Sequence, residues 1–223
     1  MSAVREPQRS AADRERIRRL VRRSWNQISY TYRPRGAGND VFDHRDADYR
    51  LWLGPVLALP RGADVLDLGC GTGVPTDRLL AARHHVTGVD LSDVMVRRAL
   101  RLVTGARFLR CDMSQVEFPP NSFDAVVSFY AIFHMPVEEH RPLFGRIGTW
   151  LRARGLLVAI LGHGPYEGVE RRWLGSRSTM YWSHAGADSS RRWLTGAGFE
   201  VLHQEYVPEG PGGHELFVCR KTR

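Results

Sequence analysis

Lysine is almost missing from this chain: of its 32 basic residues, only Lys221 is not arginine. An arginine bias of that kind can follow from genome composition and by itself names no partner. Cysteine is scarce too. Cys70, Cys111 and Cys219 are odd in number, far apart and without C-x-x-C spacing. They read as free thiols in a reducing, cytoplasmic compartment, with no metal site to hold zinc. No apolar run approaches the ~20 residues of a membrane helix, the best being LLVAIL at 156–161. The first residues, MSAVRE, are polar and lack the pattern of a secretory signal. The formal charge of +8 is unevenly spread, with eight arginines against three acids in residues 1–23 and near balance beyond. A nucleic-acid partner needs a basic surface, and the rest of the chain offers none. A membrane is not expected either, and the chain is expected to be a monomer or homodimer.

What is present is the composition of a globular protein of one domain. The chain has 223 residues, 43% of them hydrophobic and 25% charged. Residues 1–15 read as a basic, disordered arm. Ile17, Leu20, Val21, Trp25 and Ile28 recur at helical spacing, which predicts a helix over 11–32. Pro34, Gly36 and Gly38 then break the pattern. A second helical stretch runs over 46–58, with a kink or early end expected at Gly54 and Pro55. From residue 61 the texture alternates. Strands are predicted at 63–68, 85–90, 107–111, 123–130, 155–161, 199–207 and 216–220. Helices are predicted at 74–83, 92–103, 137–151 and about 188–197. Strands separated by helices mean βαβ units and a mostly parallel α/β sheet flanked by helices. Its ligand belongs beyond the carboxyl ends of the strands.

The first strand ends in VLDLGCGTG at 65–73. Glycines let backbone approach a ligand closely, and such loops usually cradle phosphate. Asp67 would repel phosphate and favours a cation. The NAD fingerprint needs glycine where Val74 stands, and the phosphate-loop pattern needs a lysine that is absent. Asp90 ends the second strand and Asp112 lies just past the third. One such aspartate could be only a turn residue. Three at successive strand ends, beside Gly69, Gly71 and Gly73, describe one ligand. An ammonium meets Asp67, two ribose hydroxyls meet Asp90, and an adenine amino group meets Asp112. Those parts together make S-adenosylmethionine.

With these motifs in place, the sequence resembles the class I S-adenosylmethionine-dependent methyltransferases, of the small-molecule methyltransferase-domain type. VLDLGCGTG is similar to their first motif, VTGVDLS at 86–92 to the second, CDM at 111–113 to the adenine motif and FDAVVSFYAIFHMP at 123–136 to the fourth. RARGLLVAI at 152–160 stands where their R-P-G-G usually opens the fifth strand. The resemblance implies a Rossmann-like sheet of seven strands with an N-terminal helical lid over 16–60 and the cofactor domain over 61–223. It implies S-adenosylmethionine as methyl donor and S-adenosylhomocysteine as product. WNQISYTY at 25–32 looks like the family's N-terminal Y-D-x-I-A-x-x-Y, which maps the lid tyrosine to Tyr32, with Trp25 and Asn26 departing from the pattern. Cys70 belongs to the cofactor loop, Leu91 and Met113 border the adenine, and Phe129 lines the methyl channel.

For the acceptor, His134 just past the fourth strand is the candidate base or orienting group, since a histidine titrates near neutral pH. Its alternative is a loop histidine bonded to backbone. Tyr30, Tyr130, His163, Tyr166, Trp182 and His184 are further candidates for an acceptor pocket. The 162–184 insertion, with its aromatics, reads either as a substrate lid or as packing on the sheet. Two rival functions remain at this stage. An RNA or protein methyltransferase would use the arginine-rich arm, but the chain lacks the N-P-P-Y or D-P-P-Y amine motif. A non-catalytic S-adenosylmethionine-binding regulator would keep the cofactor constellation without turnover.

Overall fold

The structure, a computed structural model, describes residues 9–32 and 46–223. Helix α1 (Ala11–Tyr32) leads in, followed by α2 (Asp46–Trp52) and α3 (Gly54–Leu57). The break between α2 and α3 falls at Leu53, where Gly54 and Pro55 foretell it. Proline fits the first turn of α3 because no helical acceptor is required of its nitrogen there. The expected helix breakers Pro34, Gly36 and Gly38 lie outside the described residues, as do residues 1–8 of the expected arm. Residues 11–15, also read as part of that arm, lie in α1, which spans the 11–32 that the apolar repeat predicts.

The alternating segment follows as β1 (Asp64–Leu68), α4 (Thr76–Ala81), β2 (His85–Asp90), α5 (Asp93–Leu102), β3 (Ala106–Arg110) and β4 (Phe123–Ser128). It continues as α6 (His140–Trp150), β5 (Leu151–Gly162), β6 (Tyr166–Arg171), β7 (Thr179–His184), α7 (Ala187–Gly196), β8 (Phe199–Glu209) and β9 (Gly212–Lys221). The seven predicted strands form one sheet in the order β3-β2-β1-β4-β5-β9-β8. The first five run parallel; β9 is antiparallel to both β5 and β8. The order turns back between β1 and β4, which opens a crevice beyond their carboxyl ends. β6 and β7 pair separately as a hairpin that the sequence reading did not contain.

Period-two alternation sends side chains to opposite faces of each strand. On β1, Leu66 and Leu68 join Phe144, Ile147 and Trp150 of α6 on one face. Val65 faces the other way, against Tyr49 and Trp52 of α2, Leu53 at the break and Val56 of α3. β5 splits likewise, with Leu157 and Ala159 on the first face and Val158 and Ile160 on the second. Asp67 has the parity of Val65 but sits at the strand end, where the apolar layer stops. Ser92 caps α5 as predicted, its Oγ accepting from the Met95 N–H at 3.0 Å.

The α6 face carries much of the stability. Phe144 has no exposed surface. Phe144→Ala is expected to cost ~3–5 kcal/mol, the usual cost of removing a fully buried aromatic. Chemical denaturation reads this directly, and a loss under ~1 kcal/mol would mean that the layer tolerates a void.

Candidate active site

The crevice at the switch point is a cavity walled by three layers. The glycine loop forms its floor, with Gly69 at φ 84°. A Cβ at that position would overlap the Cβ of Ala131 in the loop after β4, so the two strand-end loops meet only because position 69 is glycine. Gly69 N–H donates to the Val89 carbonyl at 2.7 Å, tying the loop to β2. Asp90 completes the tie. One of its oxygens accepts from Gly71 N–H at 2.9 Å and the other from Ser92 N–H at 2.7 Å. Each oxygen keeps a second lone pair for a ligand hydroxyl. Burial lifts the Asp90 carboxyl to about 6 despite those two bonds.

Asp67, Gly69, Cys70, Gly71, Asp90, Leu91, Asp112, Met113, Phe129, Tyr130, His134 and Tyr32 all line this cavity. Gly73 does not. Its φ of 74° closes the turn against Val103 and Phe108 instead. Burial and the neighbouring carboxylates push the Cys70 thiol well up, so it stays an unreactive wall residue. Asp112 accepts from Ser114 N–H at 2.8 Å and forms an ion pair with Arg18.

Arg18 belongs to a face of α1 that the apolar periodicity pointed inward but whose role it could not show. Arg18, Val21, Trp25 and Tyr32 form the roof. Arg18 also donates to Ser114 Oγ at 2.8 Å and to Glu139 Oε1 at 2.6 Å. Arg9 donates to Glu138 at 2.5 Å and pairs with Glu167, while Arg14 lies 3.4 Å from Glu139. Asn26, which departs from the family's lid pattern, bridges to α5: it donates to Asp93 Oδ1 at 2.8 Å and accepts from Ser92 Oγ at 2.6 Å. The cavity beneath measures about 110 Å³. That is small against the several hundred Å³ usual for an organic ligand, so α1 or the side chains it carries must shift to admit one.

His134 lies in the short turn after β4, buried among Trp25, Trp173 and Trp182. Its Nδ1 is 2.8 Å from the Tyr181 carbonyl. A carbonyl only accepts, so Nδ1 must carry the proton and Nε2 is left as a lone pair. Nε2 has no hydrogen-bond partner among the described residues. Desolvation lowers the His134 pKa to about 4. The ordinary value that made histidine attractive from sequence therefore does not apply here, and the ring is neutral over the physiological range.

Of the other acceptor candidates, Tyr130 also lines the cavity and the remaining five do not. Tyr30 is on the outer side of α1, 62% exposed, with the Arg98 guanidinium 4.7 Å over its ring. His163 pairs with Glu215 at 2.7 Å, and Tyr166 is exposed on β6. Trp182 stacks on Phe133 at 5.1 Å, behind His134. His184 bonds to the Gly164 carbonyl at 2.7 Å. The insertion packs on α1 and on the turn holding His134, through Trp173, Met180 and Tyr181. That is a buttress of the roof rather than a cover on the sheet. Sequence reasoning missed Arg18, Tyr49, Thr76 and Glu139 as wall residues. Only the i, i+3, i+7 repeat of α1 could have flagged Arg18, by its register with Val21 and Trp25.

Two measurements check this geometry. Arg18→Met removes charge-assisted bonds worth ~1.5–3 kcal/mol, so α1 amides should exchange ~10- to 100-fold faster; unchanged exchange would show that the ion pairs do not hold the roof. Imidazole nitrogen NMR should find His134 as the Nδ1–H tautomer, protonating near pH 4; a titration near pH 6.5 would refute the buried environment.

Residues 65–155 match a family model described as "Methyltransferase domain". Human glycine N-methyltransferase is 31% identical over 145 residues, covering 56% of this chain and 48% of the relative. A sterol 24-C-methyltransferase of Gibberella zeae is 33% identical over 127 residues, covering 54% and 33%. The chain thus spans about half the length, or less, of these curated relatives. Among solved structures, the Burkholderia thailandensis 1,6-didemethyltoxoflavin-N1-methyltransferase, with 1,6-didemethyltoxoflavin and S-adenosylhomocysteine bound, superposes with a TM-score of 0.68. It is 21% identical, and the match covers 99% of this chain and 94% of that one. The [4+2]-cyclase SpnF matches with a TM-score of 0.66, also at 21% identity, over 99% of both chains. At such identities the structures speak for the fold alone, and the cyclase marks that one fold carries more than one chemistry. The methyltransferase-domain match over 65–155 and the seven-stranded sheet bear out the resemblance to the class I S-adenosylmethionine-dependent methyltransferases.

Proposed function

We propose that this protein is a cytoplasmic enzyme that transfers a methyl group from S-adenosylmethionine to O, N or activated C of a small, largely aromatic acceptor. The observation that carries the reading is the meeting of Asp67, Asp90 and Asp112 with His134 in one cavity. The residues fit the donor. Gly69 allows close backbone approach, Asp90 keeps lone pairs for ribose hydroxyls, and the buried Thr72 hydroxyl has no partner among the described residues. Asp67 would face the ammonium, Met113 and Leu91 the adenine, and Asp112 its amino group once Arg18 gives way.

The cofactor supplies an already activated methyl, so the chain's work is alignment and exclusion of water. Trp25, Tyr32, Tyr49, Phe129 and Tyr130 provide apolar walls suited to a flat acceptor. His134, held in one tautomer by the Tyr181 carbonyl, offers Nε2 to the proton of an acceptor hydroxyl or amine. The relatives support a small acceptor without naming it. Three of the eight arginines that could serve a nucleic acid, Arg9, Arg14 and Arg18, are engaged with carboxylates of the fold. The quaternary state proposed is monomer or homodimer.

Asp90→Ala should weaken S-adenosylhomocysteine binding by ~1.5–3 kcal/mol in calorimetry, the scale of lost charge-assisted bonds. NAD bound with comparable strength would overturn the donor assignment. With a hydroxyl acceptor, His134→Ala should lower turnover ~10²–10⁴-fold and leave donor affinity within a few fold. The base form of His134 is lost only as pH falls through about 4, so no limb from this residue should appear between pH 5 and 8. Full turnover by His134→Ala would leave alignment as the sole contribution.

A further inference from the structure

Behind Asp67 stands a carboxyl that neither the glycine loop nor the adenine motif accounts for. Asp77, in the first turn of α4, has no exposed surface, and neither of its oxygens meets a hydrogen-bond donor among the described residues. The group it does meet is the Asp67 carboxyl, side chain to side chain. Asp67 is itself only 2% exposed and touches the cavity. Neither aspartate has an ion pair among the described residues. The titratable groups that face the pair are Asp90 at the end of β2 and the Cys70 thiol in the loop, and both are acidic. The nearby basic side chains are engaged elsewhere: Arg78 of α4 donates to the Leu102 carbonyl, and Arg98 of α5 to Ser29 Oγ.

Two buried carboxyls in contact, with no donor and no cation, cannot both ionise. The way to satisfy their facing oxygens is one proton held between them, as in other buried carboxyl dyads. Burial and mutual repulsion both keep that proton well above the ordinary carboxylate range. An ammonium group placed at the cavity side of Asp67 changes the balance, because its positive charge compensates a second negative one.

We propose that Asp67 and Asp77 share one proton and that the ammonium of the cofactor's amino-acid tail displaces it, so that Asp77 is a positioning residue that makes tail binding an exchange of cation for proton. This rests on the S-adenosylmethionine reading above. The step balances: one ligand ammonium enters, one proton leaves to solvent through the cavity, and the pair goes from one negative charge to two. Affinity for the tail therefore falls about tenfold per pH unit below the titration of the pair, and levels off above it. In Asp77→Asn the side-chain amide can donate to Asp67 and hold it ionised, so that Asp67 binds the same ammonium as a single carboxylate and releases little.

The test uses S-adenosylhomocysteine, which carries the same ammonium. Its binding is measured by calorimetry at pH 7.5, in buffers of different ionisation enthalpy, with the full chain and with Asp77→Asn. At this pH Asp90, titrating at about 6, adds little. The native chain should release a substantial fraction of one proton per ligand, and Asp77→Asn close to none, with its affinity flat over the range in which the native affinity rises. Infrared difference spectra without ligand should show a protonated-carboxyl band in the native chain that Asp77→Asn lacks. Binding by the native chain with no proton release would overturn the exchange while leaving the cofactor reading intact, and that arm needs no variant to fold. Equal release by both chains would overturn the role of Asp77. No binding at all would refute the cofactor reading and the exchange with it, even if the infrared band were present.

Discussion

The carboxylate of Asp90 organises the functional end of the sheet. It sits where β2 stops, and its two oxygens hold the Gly71 and Ser92 N–H groups. Through Gly71 it fixes the glycine loop. Through Ser92 it fixes the start of α5, because Ser92 also caps that helix. Ser92 Oγ then reaches Asn26 of α1, which turns back to Asp93. One buried charge thus sets the positions of floor, side wall and roof. Charge-assisted bonds to backbone are strong enough to offset part of its desolvation. The remaining desolvation cost is what raises its pKa to about 6.

The halves of the cavity differ in how they relate to known proteins. The family match spans 65–155 and contains the glycine loop, Asp90, Asp112 and His134. The roof comes from α1, the far wall includes Tyr49 of α2, and the support behind His134 comes from the β6–β7 hairpin. These lie outside the matched segment. The groups proposed to hold the donor therefore lie mostly in the matched segment, and much of the wall proposed for an acceptor lies outside it.

Much of this was legible in the sequence. All seven strands of the main sheet followed from short apolar runs between helical repeats, and the three aspartates fell at strand ends because glycine and apolar texture mark those ends. The hairpin escaped because β6 is exposed on both faces and shows no buried alternation. Trp182 and His184 read as pocket walls because aromatic and polar residues look alike in a cavity and in a core; only packing reveals that Trp182 lies against Phe133. Asp77 was invisible for a different reason. An acid in the first turn of a helix ordinarily answers the helix dipole, and nothing along the chain says that it is buried against another carboxyl. The roles of Arg9, Arg14 and Arg18 were equally hidden, since their partners are more than 90 residues away.

Those arginines give the molecule a property that its net charge does not convey. On the sequence they form a positive arm, the sort of feature that makes a protein adhere to polyanions. Folded, they are rivets between α1 and the segment holding Glu138 and Glu139. Mobile ions compete with such pairs, and at physiological strength their reach is ~8 Å. Arg14 to Glu139 is the wettest of these pairs and is screened first; Arg9 to Glu138 and Arg18 to Glu139, both largely buried, are screened less. Added salt therefore weakens the fastening of α1 to that segment, where the net charge alone would foretell only a weaker hold on polyanions.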